Sequence, residues 1–294
     1  MQKLSFYLFI LLVKLFSITP FWLVYRLSDV TFLLLYYVVG YRRKIAHANL
    51  KKVFPEKSEA EINKFEKQYY HNLADLILES IKGYSLSYAE LSKRFSIQNP
   101  ETLAFIENNH HSIIIASAHC GNWEWGAMAA PIMTAHKTVG FYKPLSNKLI
   151  DNYVKTNRAA NGMSLASIYE TTKTFAQNKA TRSAYFFISD QSPTNKRASL
   201  WIDFKGVKTA WLHGLEKHSR QNSLPVYYFG IVRVRRGIYN VFIEEIAKDP
   251  NELPYGMVTA KYVEILERLV RERPDDWLWT HRRWKMQPPM DEIV

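Results

Sequence analysis

At 294 residues the chain is long enough to bury a large core, as one domain or as one domain with an appendage. Apolar residues at 47% and charged residues at 22% exclude general disorder. The 39 Lys+Arg against 27 Asp+Glu give a net charge of +12, which favours anionic partners: nucleic acid, an anionic membrane surface, a phosphorylated substrate or an acidic protein.

The aromatic content, 18 Tyr, 16 Phe and 8 Trp, shifts that choice toward a membrane. Trp and Tyr rings prefer the headgroup zone, and Lys and Arg prefer the cytoplasmic leaflet. A single cysteine, Cys120, excludes an intrachain disulfide and any multi-cysteine metal cluster, and fits a reducing compartment. A mean hydropathy of −0.23 excludes a polytopic membrane protein.

In chain order, residues 4–13 form an apolar run that Lys14 interrupts and residues 15–20 complete, roughly one membrane crossing by length. A second apolar stretch, residues 30–39, ends in Tyr41-Arg42-Arg43-Lys44, which reads as a positive-inside stop. No small-residue cleavage pattern follows the first run, so a removable signal peptide is not expected. The reading is a single anchor plus an interfacial helix over residues 1–41, then a globular domain over 42–294. The bland alternative is that both stretches are core helices of a soluble domain.

Beyond residue 41 the elements alternate. Ser58 with Glu61 three residues on has capping-box spacing, and Ile62, Phe65, Tyr69, Leu73, Leu76, Ile77 and Ile81 recur at helical intervals up to Gly83. Strands are expected at 113–118, 137–143, 184–189 and 201–204. Helices are expected at 147–157, 168–177, 212–221 and 257–271. Residues 225–234 and 238–246 read as a hairpin turned at Arg236-Gly237. The fold class is α/β, a central mixed sheet with helices on both faces and an N-terminal membrane-anchoring helix.

The chemistry concentrates in Ser112-Ile-Ile-Ile-Ala-Ser-Ala-His119-Cys120-Gly121-Asn122-Trp123-Glu124. If the strand ends near His119 and Gly121-Asn122 make the turn, Asn122 caps a helix and Glu124 falls in its first turn, where the dipole favours a carboxylate. His119 is then a general base at the carboxyl end of a strand, where open α/β sheets bind ligands, with Glu124 as the carboxylate that orients it. The alternative is a structural histidine bonded to a backbone carbonyl. Cys120 is a rival nucleophile, but adjacent residues at a strand end point to opposite faces, so His119 is badly placed to activate it. His110, His111 and His119 have no spacing that aims them at one metal ion, and no metal or cofactor is expected.

Several motifs together resemble one family. His119-x4-Glu124, Tyr142-Lys143-Pro144, Arg158 with Gly162-Met163, Asp190-Gln191 and Trp277-Leu-Trp-Thr-His281-Arg282-Arg283-Trp284-Lys285 stand in the order and rough spacing of the bacterial lipid A biosynthesis acyltransferases. Tyr41-Arg-Arg-Lys, Ala48-Asn49-Leu50 and Phe54-Pro55-Glu56 are similar to theirs too, so the resemblance spans nearly the whole chain. It implies a glycerolipid-acyltransferase-like fold and transfer of a fatty acyl chain from an acyl carrier protein or coenzyme A thioester to a hydroxyl of a lipid A precursor. It also implies a place at the bacterial inner membrane with the catalytic domain facing the cytoplasm.

By that resemblance His119 and Glu124 form the catalytic dyad, and substrate-binding roles fall on Arg158, Asp190, Gln191, Lys143 and Asn122. Arg158 is read either as an oxyanion-stabilising group or as a surface charge. His281, Arg282, Arg283 and Lys285 are read either as contacts to an anionic lipid headgroup or as a packed segment with snorkelling cations. Residues 205–217 are bulkier and more polar than the family's small-residue stretch, a departure that bears on acyl-chain length or acceptor identity. Two other readings stand beside this one: a lysophospholipid or aminolipid acyltransferase with the same chemistry, and a membrane-tethered basic protein that binds lipid or nucleic acid. No recognised nucleic-acid module supports the nucleic-acid part of the last.

Overall fold

The computed structural model describes residues 2–160, 162–195 and 199–288. The chain begins with α1 (Gln2–Ile18) and α2 (Phe21–Leu33), the latter running on into a π-helical segment (Leu34–Val38). Then come α3 (Arg43–Val53), α4 (Glu59–Gly83), α5 (Tyr88–Ser92), β1 (Phe95–Ile97), α6 (Pro100–Asn109), β2 (Ile113–Ser117), α7 (Trp123–Met133) and β3 (Lys137–Tyr142). The rest is α8 (Lys148–Ala160), β4 (Ser164–Ser167), α9 (Thr171–Gln177), β5 (Ser183–Ile188), β6 (Ser199–Phe204), β7 (Val207–Leu212), α10 (Gly214–Gln221), β8 (Val226–Arg235), β9 (Ile238–Ala247) and α11 (Met257–Glu272).

Seven strands form one sheet in the order β1-β9-β8-β2-β5-β3-β4. The β8–β9 hairpin is antiparallel and every other pairing is parallel, so the sheet is mixed, as expected. Strand β2 shows why both faces must be covered. Ile113 and Ile115 enter one core cluster with Trp125 and Met128 of α7; Ile114 and Ala116 enter the other with Tyr262 and Leu266 of α11. Its side chains alternate between two helix layers, so the strand reads as an unbroken apolar run.

The capping box at the start of α4 is present in both halves: the Glu61 N–H donates to Ser58 Oγ at 3.3 Å and the Ser58 N–H donates to a Glu61 carboxylate oxygen at 2.9 Å. Two expectations shift. The helix expected at 212–221 begins at Gly214, because residues 207–212 are β7, folded back on β6 through Lys205 and Gly206 with φ of +51° and +74°. That is the two-residue turn whose twist suits a hairpin. The helix expected from 168 begins at Thr171, because residues 164–167 extend the main sheet beside β3.

Helices α1 and α2 pack on α4, and α2 is tied down by polar bonds along its inner side. Ser28 Oγ donates to Asp75 at 2.5 Å, Tyr25 donates to Glu79 at 2.9 Å, and Asp29 pairs with Arg236. Leu11, Leu15, Trp22 and Val30 of these helices, with Leu34 and Val38 of the π-helical segment, are exposed apolar side chains. Among the described residues, Phe21–Val38 is the one helix long and apolar enough to cross a membrane.

Candidate active site

The site is assembled by two neighbouring parallel strands. Ser117 of β2 is in register with Ile188 of β5, so the second residue beyond each, His119 and Asp190, leaves the sheet at the same level. The loop after β2 is fixed from below. Gly121 takes φ +58°, and a Cβ there would stand 2.9 Å from the Ile231 carbonyl oxygen, so glycine alone allows the turn to lie against β8. Asn122 caps α7 by accepting the Trp125 N–H at 2.9 Å, while its amide donates to the buried Glu79 at 2.8 Å.

His119 Nδ1 lies 2.6 Å from Asp190 Oδ1, and Asp190 Oδ2 accepts the His119 backbone N–H at 3.0 Å and the Trp277 indole N–H at 2.8 Å. With Nδ1–H donating to the carboxylate, Nε2 is the unprotonated nitrogen, and it accepts the Gln191 amide N–H at 3.1 Å. The Trp123 ring packs edge-on against the imidazole, with centroids 5.0 Å apart. Burial pushes the His119 imidazolium down, but the charge and hydrogen bond of Asp190 outweigh it, with Glu124 adding, and the net direction is up. Burial alone would raise Asp190; His119 and the three hydrogen bonds it accepts bring it to about 2, so it is charged throughout the neutral range.

The expected partner of His119 therefore differs from the observed one. Glu124 does lie in the first turn of α7, but its carboxylate pairs with Arg158 of α8, and it is Asp190 that lies on His119 Nδ1. The physical reason is reach: the helix start carries Glu124 away from Nδ1 and toward α8, whereas Asp190 stands one strand over at matching height. Glu124 still contributes charge that favours the imidazolium.

The remaining sequence candidates separate. Gln191 meets His119, and Arg158 meets Glu124 and lines the neighbouring cavity. Asn122 is fully buried with both amide atoms bonded within the protein, where it holds the loop to α4 and caps α7. Lys143 follows β3 and is exposed, and among the described residues no hydrogen bond or ion pair ties it to the site. Cys120 is buried, and burial raises its thiol well above the ordinary range, which suits packing rather than attack. Arg283 is 3% exposed and lies over the Trp211 ring, so this part of the C-terminal cluster is packed core. His281 differs: burial lowers it to about 4, and its neutral Nε2 accepts the Ser192 N–H at 3.1 Å. Trp277 was not singled out from the sequence as a partner of Asp190, and only the tertiary fold brings the two together.

On the far side of Trp123, whose ring packs on His119, an apolar cavity runs under α7 across the sheet and holds about 730 Å³ of space, part of it open solvent. Ser117, Trp123, Gly126, Gly140, Phe186 and Ile188 line it together with Arg158. Gly126 and Gly140 have no side chain to fill it; a Cβ on Gly140 would meet Met163 Sδ at 3.2 Å.

A family-wide sequence profile described as bacterial lipid A biosynthesis acyltransferase matches residues 1–286. The chain is 22% identical over 259 residues, 84% of its own length and 80% of the relative's, to the lipid A biosynthesis palmitoleoyltransferase of Escherichia coli K12. It is equally similar, 22% over the same span, to the lipid A biosynthesis acyltransferase of Shigella flexneri. With a profile match across nearly its whole length, the chain belongs to the bacterial lipid A biosynthesis acyltransferase family and is an acyltransferase.

Proposed function

We propose that this enzyme transfers a fatty acyl chain from a thioester, carried by acyl carrier protein or coenzyme A, to a hydroxyl of a lipid A precursor at the membrane surface. The observation that carries the reading is His119: its Nδ1 is held by Asp190, its Nε2 faces the Gln191 amide, and Trp123 packed on its ring lines an apolar cavity.

The chemistry follows from those groups. Nε2 takes the proton of the acceptor hydroxyl as its oxygen attacks the thioester carbonyl. Arg158, or the N–H groups at the start of α7, face the oxyanion that develops. Collapse breaks the C–S bond, and the imidazolium returns its proton to the departing thiolate, whose ordinary pKa of about 8.5 makes it a good leaving group. No covalent acyl-enzyme is required.

The apolar outer surface of α1 and α2, ending at Tyr41-Arg42-Arg43-Lys44, supports work at an anionic, cytoplasm-facing membrane. The net charge of +12 suits an acidic carrier protein as donor. The test is an assay of detergent-solubilised protein with acyl carrier protein and coenzyme A thioesters against lipid acceptors, read by mass spectrometry. Transfer to a lipid A precursor that is absent in His119→Ala is the expected result. Full transfer by a folded His119→Ala protein would remove the mechanism.

A further inference from the structure

A second hollow ends on Gln191, the residue whose amide meets His119. It holds about 850 Å³ of space open to solvent and is walled by Leu35 of the π-helical segment, Leu73 and Ile77 of α4, and the C-terminal loop with His281. Its inner end is Gln191, whose amide stands 3.1 Å from His119 Nε2. Leu35 belongs to an apolar segment whose Leu34, Val38 and Val39 are 49%, 73% and 68% exposed. A molecule entering past Leu35 would meet Gln191, and His119 Nε2 only once that amide gives way.

The rim carries one uncompensated cation. Arg42 lines the hollow, and its backbone is held in the left-handed region at φ +53°. Its Nη1 donates to the Thr280 carbonyl at 3.2 Å, and among the described residues no carboxylate lies within ion-pair distance of it. The next residue shows the contrast: Arg43 is paired with the buried Glu66 at 2.8 Å. A guanidinium fixed by a carbonyl and left without a counter-charge, over an apolar floor, matches a lipid whose headgroup bears a phosphate.

We propose that this hollow seats the acceptor, an anionic membrane lipid, with its phosphate on Arg42 and its reacting hydroxyl in the place the Gln191 amide occupies beside His119. The assignment rests on the acyl-transfer reading above. It divides the site in two: the cavity under α7 for the acyl donor, the hollow beside Gln191 for the acceptor.

The test uses full-length protein in mixed micelles doped with a phosphorylated lipid A precursor or with the same lipid after phosphatase treatment. Arg42→Ala is expected to raise the acceptor KM on the order of tenfold. It should erase the preference for the phosphorylated lipid and leave kcat and the donor KM unchanged. Arg26→Ala, an exposed cation on α2 outside the hollow, should leave all three unchanged. Equal acceptor KM values for Arg42→Ala and the unaltered protein, or an equal loss with both lipids, would overturn the proposal. Binding of the doped micelles, measured by protein fluorescence without donor, keeps the test independent of turnover. If no acyl transfer occurs at all, phosphate-dependent micelle binding lost in Arg42→Ala still supports the anionic-lipid site. Displacement by millimolar inorganic phosphate alone, with no dependence on the lipid tail, would replace it with a free-phosphate site.

Discussion

Replacing Asp190 by Asn tests which carboxylate holds the base. Asp190 accepts three hydrogen bonds, one on Oδ1 from His119 Nδ1 and two on Oδ2, from the His119 backbone N–H and the Trp277 indole. An asparagine has one oxygen, and the side facing two N–H donors must take it, because an amide NH2 there would face donors only. The NH2 is then turned toward Nδ1, which has to accept. The proton moves to Nε2, and the nitrogen that should deprotonate the hydroxyl no longer can. The same exchange in the Ser-His-Asp proteases costs about 10⁴ in kcat, and a loss of about 10³–10⁴, roughly 4–5.5 kcal/mol of transition-state stabilisation, is expected here.

The comparison that gives this force is Glu124→Gln. Its partner is Arg158, with side chains 36% and 15% exposed, so the variant loosens a guanidinium at the cavity without changing the tautomer of His119. A loss on the order of tenfold follows for one charge-assisted pair at a partly exposed site. The assay is steady-state thiol release coupled to mass detection of the acylated lipid, with circular dichroism melts confirming that both near-isosteric variants fold. If Glu124→Gln abolishes transfer while Asp190→Asn keeps more than a tenth of it, the assignment of Asp190 as the orienting carboxylate is wrong.

Three further outcomes follow. The direction of the His119 shift sets the pH profile: kcat should rise with pH through an apparent pKa above the ordinary 6.5 of histidine and then plateau, and the limb should move down in Asp190→Asn; a limb below 6.5 in the unaltered protein contradicts the coupling. Because that pKa is raised on folding, its stabilisation is full below the ordinary value and fades as pH climbs through the folded one, so stability and activity move oppositely there, which thermal melts across the window can check. Gly140→Val should shift acyl preference toward shorter chains, because a branched side chain enters the cavity against Met163; losing about two buried methylenes costs about 1.6 kcal/mol, roughly fifteenfold in kcat/KM for the longest donor. Cys120 should resist maleimide in the native protein and react on unfolding, and Cys120→Ala should keep transfer within a few-fold; a covalent acyl group recovered on Cys120 would contradict this.

What the sequence made legible was whatever repeats at short range. The apolar run of β2, the helical period and capping box of α4, and the hairpin turned at Arg236-Gly237 are each specified within about twenty residues, and each formed where the pattern put it. Strand β1 is three residues long, and β4 is four residues of Ser, Leu and Ala; pairing with β9 and β3, not their own propensity, makes them strands. The bulky stretch of β6 and β7 carries the same lesson, since Trp211 is buried by the tertiary fold.

That His119 bonds Asp190 and not the expected Glu124 has one cause, and it concerns adjacency. Proximity in the chain favoured Glu124, five residues after His119, while Asp190 lies 71 residues away with two strands between. In a parallel sheet the chain leaves β2, builds β3 and β4, and returns to place β5 directly beside β2. Residues at equal height on neighbouring strands then meet, whatever their separation in sequence. The signal was present in a form that spacing cannot rank: two largely apolar runs, Ile113 to Ser117 and Ser183 to Ile188, each ending two residues before a titratable side chain. Two such strands delivered in register are enough to build a His–Asp pair at a sheet edge, and Glu124 is left free to hold Arg158.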